Sequence, residues 1–234
     1  MTNDQFCNVL YNSFLKFLAT GSRSNAKLKI LHSKIAADLG NRLGSDFEVA
    51  ALGLNNGREG TIIGRYVDKK VDILISKNGA PVAGMAIKFV MQNYMRNSNN
   101  YFENMLGETA NIRSNHIPYY QIFVIPDRIP YYEKDGSISR WEEINQHNLD
   151  KYNILSNDDT ETYMHTPDKT LLCVVHISDS STAINNRNEY ISYYKNNSFS
   201  ISLSTRAFDS FGRNVIYNDY TLFIEKVFHS ILSQ

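Results

Sequence analysis

The chain has 234 residues, of which 42% are hydrophobic and 21% charged, and its 24 basic side chains balance its 24 acidic ones. This composition is typical of a globular protein with one large core, and the 12 Phe and 15 Tyr exclude a disordered chain. No apolar run approaches the roughly 20 residues that span a bilayer, and no secretion signal opens the chain. The distant Cys7 and Cys173 predict neither a disulfide framework nor a cysteine zinc site. We therefore expect one cytoplasmic domain over residues 1–234, with no membrane partner.

The charge distribution bears on nucleic-acid binding. A protein that coats nucleic acid without sequence preference is normally basic, whereas this chain has no net charge. Neutrality still permits a basic groove beside an acidic active site. Basic side chains outnumber acidic ones between Arg23 and Arg42, which is typical of a solvated helix face.

Hydrophobic periodicity and turn residues predict the elements of the first half of the chain. In chain order these are helices over 4–19 and 24–40, strands over 47–54, 71–75 and 82–90 with a further candidate over 61–67, a helix over 97–113 and a strand over 119–125. Residues 1–23 are thus an N-terminal helix, and residues 24–126 follow the order αβββαβ.

The second half of the chain is less regular. We predict a helix over 139–149, an apolar strand over 170–177, an irregular stretch over 178–216 with a strand at 199–203, and a C-terminal amphipathic helix over 220–232. The fold class is therefore α/β (α+β), a mixed β-sheet flanked by helices. Residues 127–234 add α/β elements that suit recognition or dimerisation.

One acid and one base stand out in the predicted strands. Asp72 lies inside an apolar strand, where an ionised carboxylate is costly unless it is paired. Lys88 lies on the next strand and shares a face with Gly84 and Ala86, whose small side chains leave room for a cation and a phosphate. A purely structural ion pair between Asp72 and Lys88 is the alternative.

The two segments Val71-Asp72 and Ala86-Ile87-Lys88 resemble the signature of the PD-(D/E)XK nuclease superfamily. The resemblance covers residues 24–126 and implies a restriction-endonuclease-like core. It also implies Mg²⁺ bound by Asp72 and the backbone carbonyl of Ile87, with Lys88 acting on the attacking water or the phosphate.

The chain departs from that signature at two positions. Val71 replaces a proline, and Ala86 replaces the second acid that normally binds the metal. In some members of the family a glutamate from the following helix supplies this carboxylate. We predict Glu103, fifteen residues after Lys88, as the catalytic and metal-binding acid, with Glu108 as the alternative. An inactivating substitution at Ala86 is also open.

An amide-rich segment follows the Lys88 strand and leads into a helix N-terminus, which suits phosphate binding. Amide side chains can also pair with adenine in the major groove. The predicted DNA-binding residues are Gln92, Asn93, Arg96, Asn97, Ser98 and Asn99. The alternative is a polar surface loop with a helix cap at Asn97 or Ser98.

Other motifs predict no site. The segment 57–60 lacks the ending of a phosphate-binding loop. No metal-ligand spacing is seen for His116, His147, His165, His176 and His229.

The resemblance implies a Mg²⁺-dependent endonuclease that cuts double-stranded DNA at a specific site, as type II restriction enzymes do. Such enzymes are usually homodimers that read a palindrome, and the amide-rich segment favours an AT-rich one. A repair or junction-resolving nuclease and an inactive DNA-binding protein with the same fold are the alternatives.

Overall fold

The computed structural model describes residues 1–233, except for the side chain of Asn56. The helices are α1 (Asn3–Thr20), α2 (Ala26–Leu43), α3 (Tyr94–Arg113), α4 (Gln146–Ser156), α5 (Arg187–Asn196) and α6 (Tyr220–Leu232). The strands are β1 (Phe47–Ala51), β2 (Gly60–Ile63), β3 (Asp68–Val71), β4 (Ile73–Lys77), β5 (Ala80–Phe89), β6 (Tyr119–Pro126), β7 (Arg128–Tyr132), β8 (Ile138–Glu143), β9 (Lys169–Ile177), β10 (Ile201–Leu203) and β11 (Val215–Tyr217).

Seven strands form one mixed sheet, in the order β1-β4-β5-β6-β9-β10, with β11 paired to β9. The strands β1, β4 and β5 are antiparallel, whereas β5, β6 and β9 are parallel. The two central strands β6 and β9 are almost wholly buried because helices cover both faces, which explains their continuous apolar sequences. The predicted mixed α/β fold, a mixed sheet flanked by helices, is confirmed.

Each face of the sheet has its own apolar core. Alternation along β6 sends Ile122 and Val124 into a cluster with α1, α2, α5 and α6, and sends Phe123 and Ile125 into a cluster with α3 and α4. The helix α3 is therefore packed over β6 on the face opposite to α1 and α6.

Along the chain, the elements of the main sheet keep the predicted order αβββαβ, as α2, β1, β4, β5, α3 and β6. The strands β2 and β3 are separate from it and form a two-stranded hairpin of their own. The strand predicted over 71–75 is divided at Asp72, a bend residue that pairs in neither ladder. The Asp72 side chain can therefore turn toward the end of β5.

The helix predicted over 139–149 was wrong in its first half. Residues 138–143 form β8, which pairs with the unpredicted β7, and the helix α4 begins only at Gln146. The Asn145 side chain accepts a hydrogen bond from the Asn148 backbone and so caps α4 at this point. Pairing with β7 across the turn at Asp135-Gly136 overrode the helical spacing before that cap.

Two other boundaries differ from the prediction. The helix α3 begins at Tyr94 rather than at residue 97, directly after Asn93, whose φ is 51°. The stretch 178–216 is more regular than predicted, since it also contains α5, capped by the Asn186 side chain, and the start of β11, while the strand predicted at 199–203 is present as β10. The predicted strand over 170–177 and the C-terminal helix are present as β9 and α6. No helix within residues 1–233 combines the length and apolar character needed to cross a membrane.

Candidate active site

A cavity of about 430 Å³ lies between the start of α2, the hairpin strand β3, the strands β5 and β6, and the helix α3. On its floor, Ala86 of β5 lies beside Gln121 of β6, and Lys88 lies beside Phe123. Of the two small residues expected to leave room beside Lys88, Ala86 lines this floor, whereas Gly84 lies outside the cavity against Ile62 and Tyr119.

Asp72 lines the cavity and is held by the main chain of β5. The Ile87 backbone N–H donates a 2.7 Å hydrogen bond to Oδ2 of Asp72. Burial, aided by the nearby Glu108 carboxylate, raises the pKa of Asp72 to about 6 against the lowering effect of the Ile87 hydrogen bond. The carboxylate is thus held in one orientation in a setting that disfavours its charge.

Lys88 lines the same cavity without forming an ion pair with Asp72. Its ammonium lies 4.4 Å from the centroid of the Tyr101 ring on α3, within the range of a cation–π interaction. Partial desolvation lowers the pKa of Lys88, while the negative charge of Asp72 acts in the opposite direction. Within residues 1–233 no carboxylate pairs with Lys88, so the alternative of a structural Asp72–Lys88 bridge was wrong.

The two candidate glutamates of α3 occupy different surroundings. Glu103 is exposed and outside the cavity, where its charge acts on Lys151 of α4. Glu108 lines the cavity, receives the Tyr119 hydroxyl as a hydrogen-bond donor, and forms a 2.6 Å ion pair with Lys69. The structure therefore brings Glu108, rather than Glu103, to the cavity of Asp72 and Lys88.

Two further potential ligands lie beside Asp72 and were missed from the sequence. One ligand atom each of His32, Glu59 and Asp72 lie within 4.8 Å of one another, close enough to share a metal ion. His32 is fully buried on α2, and Nδ1 lies 3.7 Å from Oδ1 of Asp72. Neither ring nitrogen has a hydrogen-bond partner within residues 1–233, and burial lowers the pKa of His32 to about 4. The imidazole is therefore neutral at pH 7, with a lone pair to offer.

Gln121 is a second buried polar side chain at the cavity. It is 4% exposed, and among the described residues its Nε2 has no hydrogen-bond partner. A buried amide donor without a partner costs about 1–3 kcal/mol, which is recovered if a bound oxygen atom accepts its hydrogen bond.

The rim of the cavity carries more positive than negative charge. Four lysines line it, Lys27, Lys69, Lys70 and Lys88, against the two acids Asp72 and Glu108. The pKa of Lys27 is lowered chiefly by desolvation and additionally by the charge of Lys88, as expected where cations crowd together. This neutral chain therefore presents a locally cationic opening that suits an anionic ligand.

Asn97, Ser98 and Asn99 lie in the first turns of α3, as the predicted helix over 97–113 implies, and only Gln92 and Asn93 precede the helix. The Asn93 Oδ1 accepts a hydrogen bond from the Tyr132 backbone, so this side chain supports the fold. The N-cap residue Asn93 makes no side-chain cap hydrogen bond, and the Glu142 carboxylate of β8 instead accepts from the Met95 backbone N–H at 3.1 Å, so the alternative of a cap at Asn97 or Ser98 was wrong.

The other members of this segment lie outside the cavity. Arg96 donates to the Tyr131 hydroxyl and stacks on that ring, and the Lys151 ammonium contacts the Ser98 carbonyl and the Asn99 side chain. Gln92 borders a separate cavity of about 150 Å³. The structure thus does not gather Gln92, Arg96 and Asn99 with Asp72, and their DNA contacts stay a prediction.

Comparison of the chain with protein-family models, curated proteins and solved structures finds no match. Function is therefore inferred from the residues and geometry of the cavity.

Proposed function

We propose that this chain is a metal-dependent endonuclease that hydrolyses phosphodiester bonds of double-stranded DNA at a specific site, as type II restriction enzymes do. The observation that carries the proposal is the shared cavity of Asp72, Lys88 and Glu108 under a rim of lysines. An acid at a strand bend, a lysine on the next strand and an acid on the following helix match what the PD-(D/E)XK resemblance implies.

The residues around Asp72 fit a divalent cation. Glu59 and His32 approach Asp72 on one side, and Glu108 lines the cavity with it. The buried ring nitrogens of His32 have no hydrogen-bond partner among the described residues, and the pKa of Asp72 is raised. A cation between the two side chains would accept the imidazole lone pair and favour the ionised carboxylate. A bound Mg²⁺ or similar cation would neutralise charge on the phosphate and activate water.

Lys88 and Tyr101 then have separate tasks. The Lys88 ammonium would stabilise the negative charge that develops on the phosphate, or hold the attacking water. The Tyr101 ring positions that ammonium and leaves its positive charge available to the phosphate. A carboxylate partner would neutralise that charge. The lowered pKa of Lys88 also brings its neutral form closer to the working pH, which helps proton transfer.

The cationic rim supports a polyanionic substrate. Lysines around an enclosed acidic site raise the local concentration of nucleic acid and oppose the repulsion between phosphate and carboxylate. We further propose a homodimer that acts on a palindromic site, since two-fold protein symmetry matches two-fold DNA symmetry.

An inactive DNA-binding protein is the second candidate, and one observation favours it. The Glu108 carboxylate is engaged by Lys69 and Tyr119, and Ala86 offers no ligand in its place. In such a protein the cationic rim would bind the backbone of DNA without any metal.

Digestion of a long, sequenced duplex DNA with Mg²⁺, with Mn²⁺ and with EDTA tests the proposal. Discrete fragments that require the metal and are absent with Asp72→Asn would support a site-specific endonuclease, and their ends would define the site. Ragged degradation would favour a repair nuclease. Tight DNA binding without cutting under any metal would favour the inactive protein.

A further inference from the structure

The hairpin of β2 and β3, residues 60–71, lines the cavity with Lys69 and Lys70 and exposes an apolar tip. Ile63, Tyr66 and Val67 at this tip are 66%, 77% and 63% exposed. Only four other large apolar side chains within residues 1–233 are exposed, and those four are distributed over other parts of the chain. A cluster of this kind marks a surface that is covered when a partner binds.

The tip is fixed in place by one buried asparagine. Asn111 of α3 accepts hydrogen bonds from the backbone N–H groups of Tyr66 and Val67, at 2.9 and 3.2 Å, and donates to the Val67 carbonyl at 2.8 Å. The Arg65 backbone N–H donates to the Asn111 carbonyl, and Asn115 donates to the Ile63 carbonyl, each at 2.8 Å. A loop held by five such bonds loses little conformational entropy on binding.

The same hairpin carries an excess of positive charge, because its one acid, Asp68, stands against Arg65, Lys69 and Lys70. Arg65 and Lys70 are exposed, and neither forms an ion pair with any residue that the structure describes. The Arg65 guanidinium lies 5.9 Å from the Tyr66 ring centroid. Lys69 pairs with Glu108, which joins the hairpin directly to the cavity. The hairpin therefore adds two unpaired cations, Arg65 and Lys70, to the lysines of the cavity, with Asp68 as the one acid between them.

We infer that the 60–71 hairpin is a preformed DNA-contacting arm, which presses its apolar tip against a groove while Arg65 and Lys70 contact phosphates next to the cut bond. This inference rests on the proposed function, since it places the duplex across the cavity. A second copy of the chain is a poorer occupant, because a two-fold contact would bring Arg65 and Lys70 toward their own copies. Double-stranded DNA matches both the charge and the apolar tip.

The test measures affinity for duplex DNA across a range of salt concentrations, with Ca²⁺ in place of Mg²⁺ to prevent cutting. The variants are Tyr66→Ala and the double variant Arg65→Ala/Lys70→Ala. Tyr163→Ala and Lys195→Ala are matched controls, because both residues are exposed and lie far from this hairpin in the sequence. The tip side chains are largely solvent-exposed, so thermal unfolding should be unchanged in every variant.

We expect Tyr66→Ala to weaken binding about ten-fold without changing the salt dependence, as loss of an aromatic contact does. The double variant should weaken binding and lower the slope of log affinity against log salt by about two, one for each lost phosphate contact. The controls should bind as the parent does.

Three results would overturn the inference in distinguishable ways. Parent protein that cuts DNA, with hairpin variants that bind and cut equally well, would refute the arm and leave the nuclease standing. Parent protein that neither binds nor cuts duplex DNA would refute both. A parental dimer that becomes monomeric with Tyr66→Ala in analytical ultracentrifugation would assign the tip to contact between copies.

Discussion

The backbone N–H of Ile87 donates a hydrogen bond to the carboxylate of Asp72. The end of β5 therefore fixes the orientation of the acid at the bend between β3 and β4. This bond orients Oδ2 and leaves Oδ1 facing His32. It is also the largest effect that lowers the pKa of Asp72, and burial outweighs it. The acid is therefore kept where its ionised form costs folding free energy.

Asp72→Asn should stabilise the metal-free protein at neutral pH. The pKa of Asp72 is raised from 3.8 to about 6, so the folded state holds a proton that the unfolded state releases. Stability therefore falls as pH rises from about 4 to 6, and the penalty, about 1–3 kcal/mol after allowance for solvent, persists above that range. The amide avoids this penalty while its oxygen can still accept from Ile87. Urea unfolding in EDTA at pH 4 and pH 7.5 measures the difference.

Glu103→Gln is the matched control for that measurement, since Glu103 is exposed and outside the cavity. It should leave the urea midpoint unchanged at both pH values. An Asp72→Asn variant that is equally or less stable than the parent at pH 7.5 would show that the carboxylate is not destabilising.

Glu108→Gln and Glu103→Gln should separate the two glutamates of α3. Glu108 lines the cavity, so its neutralisation should lower cleavage about 100-fold, as loss of a group that binds or supports a metal does. Glu103→Gln should change cleavage less than about two-fold, as surface substitutions do. Initial rates at saturating metal measure both effects. A larger loss in Glu103→Gln than in Glu108→Gln would make Glu103 the metal-binding acid.

The site residues that could be predicted from the sequence are those marked by a local pattern, and those whose position depends on tertiary packing could not be predicted. Asp72 and Lys88 were recognisable because one acid in an apolar strand and one cation on a small-residue face are local patterns. Glu103 and Glu108 are five residues apart and so differ by about 140° around the helix. Only the packing of α3 decides which of them faces the cavity, although Tyr101, Met105 and Glu108 do form one helical stripe there.

The missed ligands and the missed hairpin differ in the signal that the sequence carried for them. His32 interrupts the apolar stripe of α2 between Leu28 and Ile35. This local pattern indicates a buried polar side chain. Glu59 had no such signal, since its approach to Asp72 depends on how the segment before β2 folds back. The β7–β8 hairpin was missed although the Asp135-Gly136 pair, in which Gly136 has a φ of 88°, is a local turn signal between its two strands.

Tyr101→Leu should lower the rate of cleavage about three- to ten-fold with little effect on DNA affinity, because the ring positions the Lys88 ammonium. Tyr101→Phe keeps the ring and should retain activity, which makes it the matched control. Lys88→Ala should lower the rate at least about 100-fold. Single-turnover rates and binding in Ca²⁺ separate the two effects. Equal losses in Tyr101→Leu and Tyr101→Phe would assign the effect to the hydroxyl instead.

The parent should bind Mn²⁺ more tightly than Mg²⁺, because His32 offers nitrogen beside the carboxylates of Asp72 and Glu59. Imidazole suits first-row transition metals, whereas Mg²⁺ prefers oxygen ligands. His32→Leu keeps a buried side chain and should weaken Mn²⁺ binding at least about ten-fold, with little change for Mg²⁺. Titration calorimetry without DNA measures both affinities. Unchanged Mn²⁺ binding in His32→Leu would remove His32 from the ligand set.

Gly64→Ala should weaken DNA binding although it removes no contacting side chain. A methyl group at Gly64 would overlap the Asn111 side-chain amide and the Val67 carbonyl, both of which hold the hairpin tip. The displaced tip would keep Tyr66 and Arg65 but lose their fixed placement, so we expect a loss of about three- to ten-fold in affinity. Gly107→Ala is the matched control, because an added methyl there meets open space on the same helix that carries Asn111. Backbone hydrogen exchange at Tyr66 and Val67 should quicken in Gly64→Ala alone, which ties the lost affinity to lost rigidity. Lost affinity with unchanged exchange would mean that the methyl group obstructs the DNA itself.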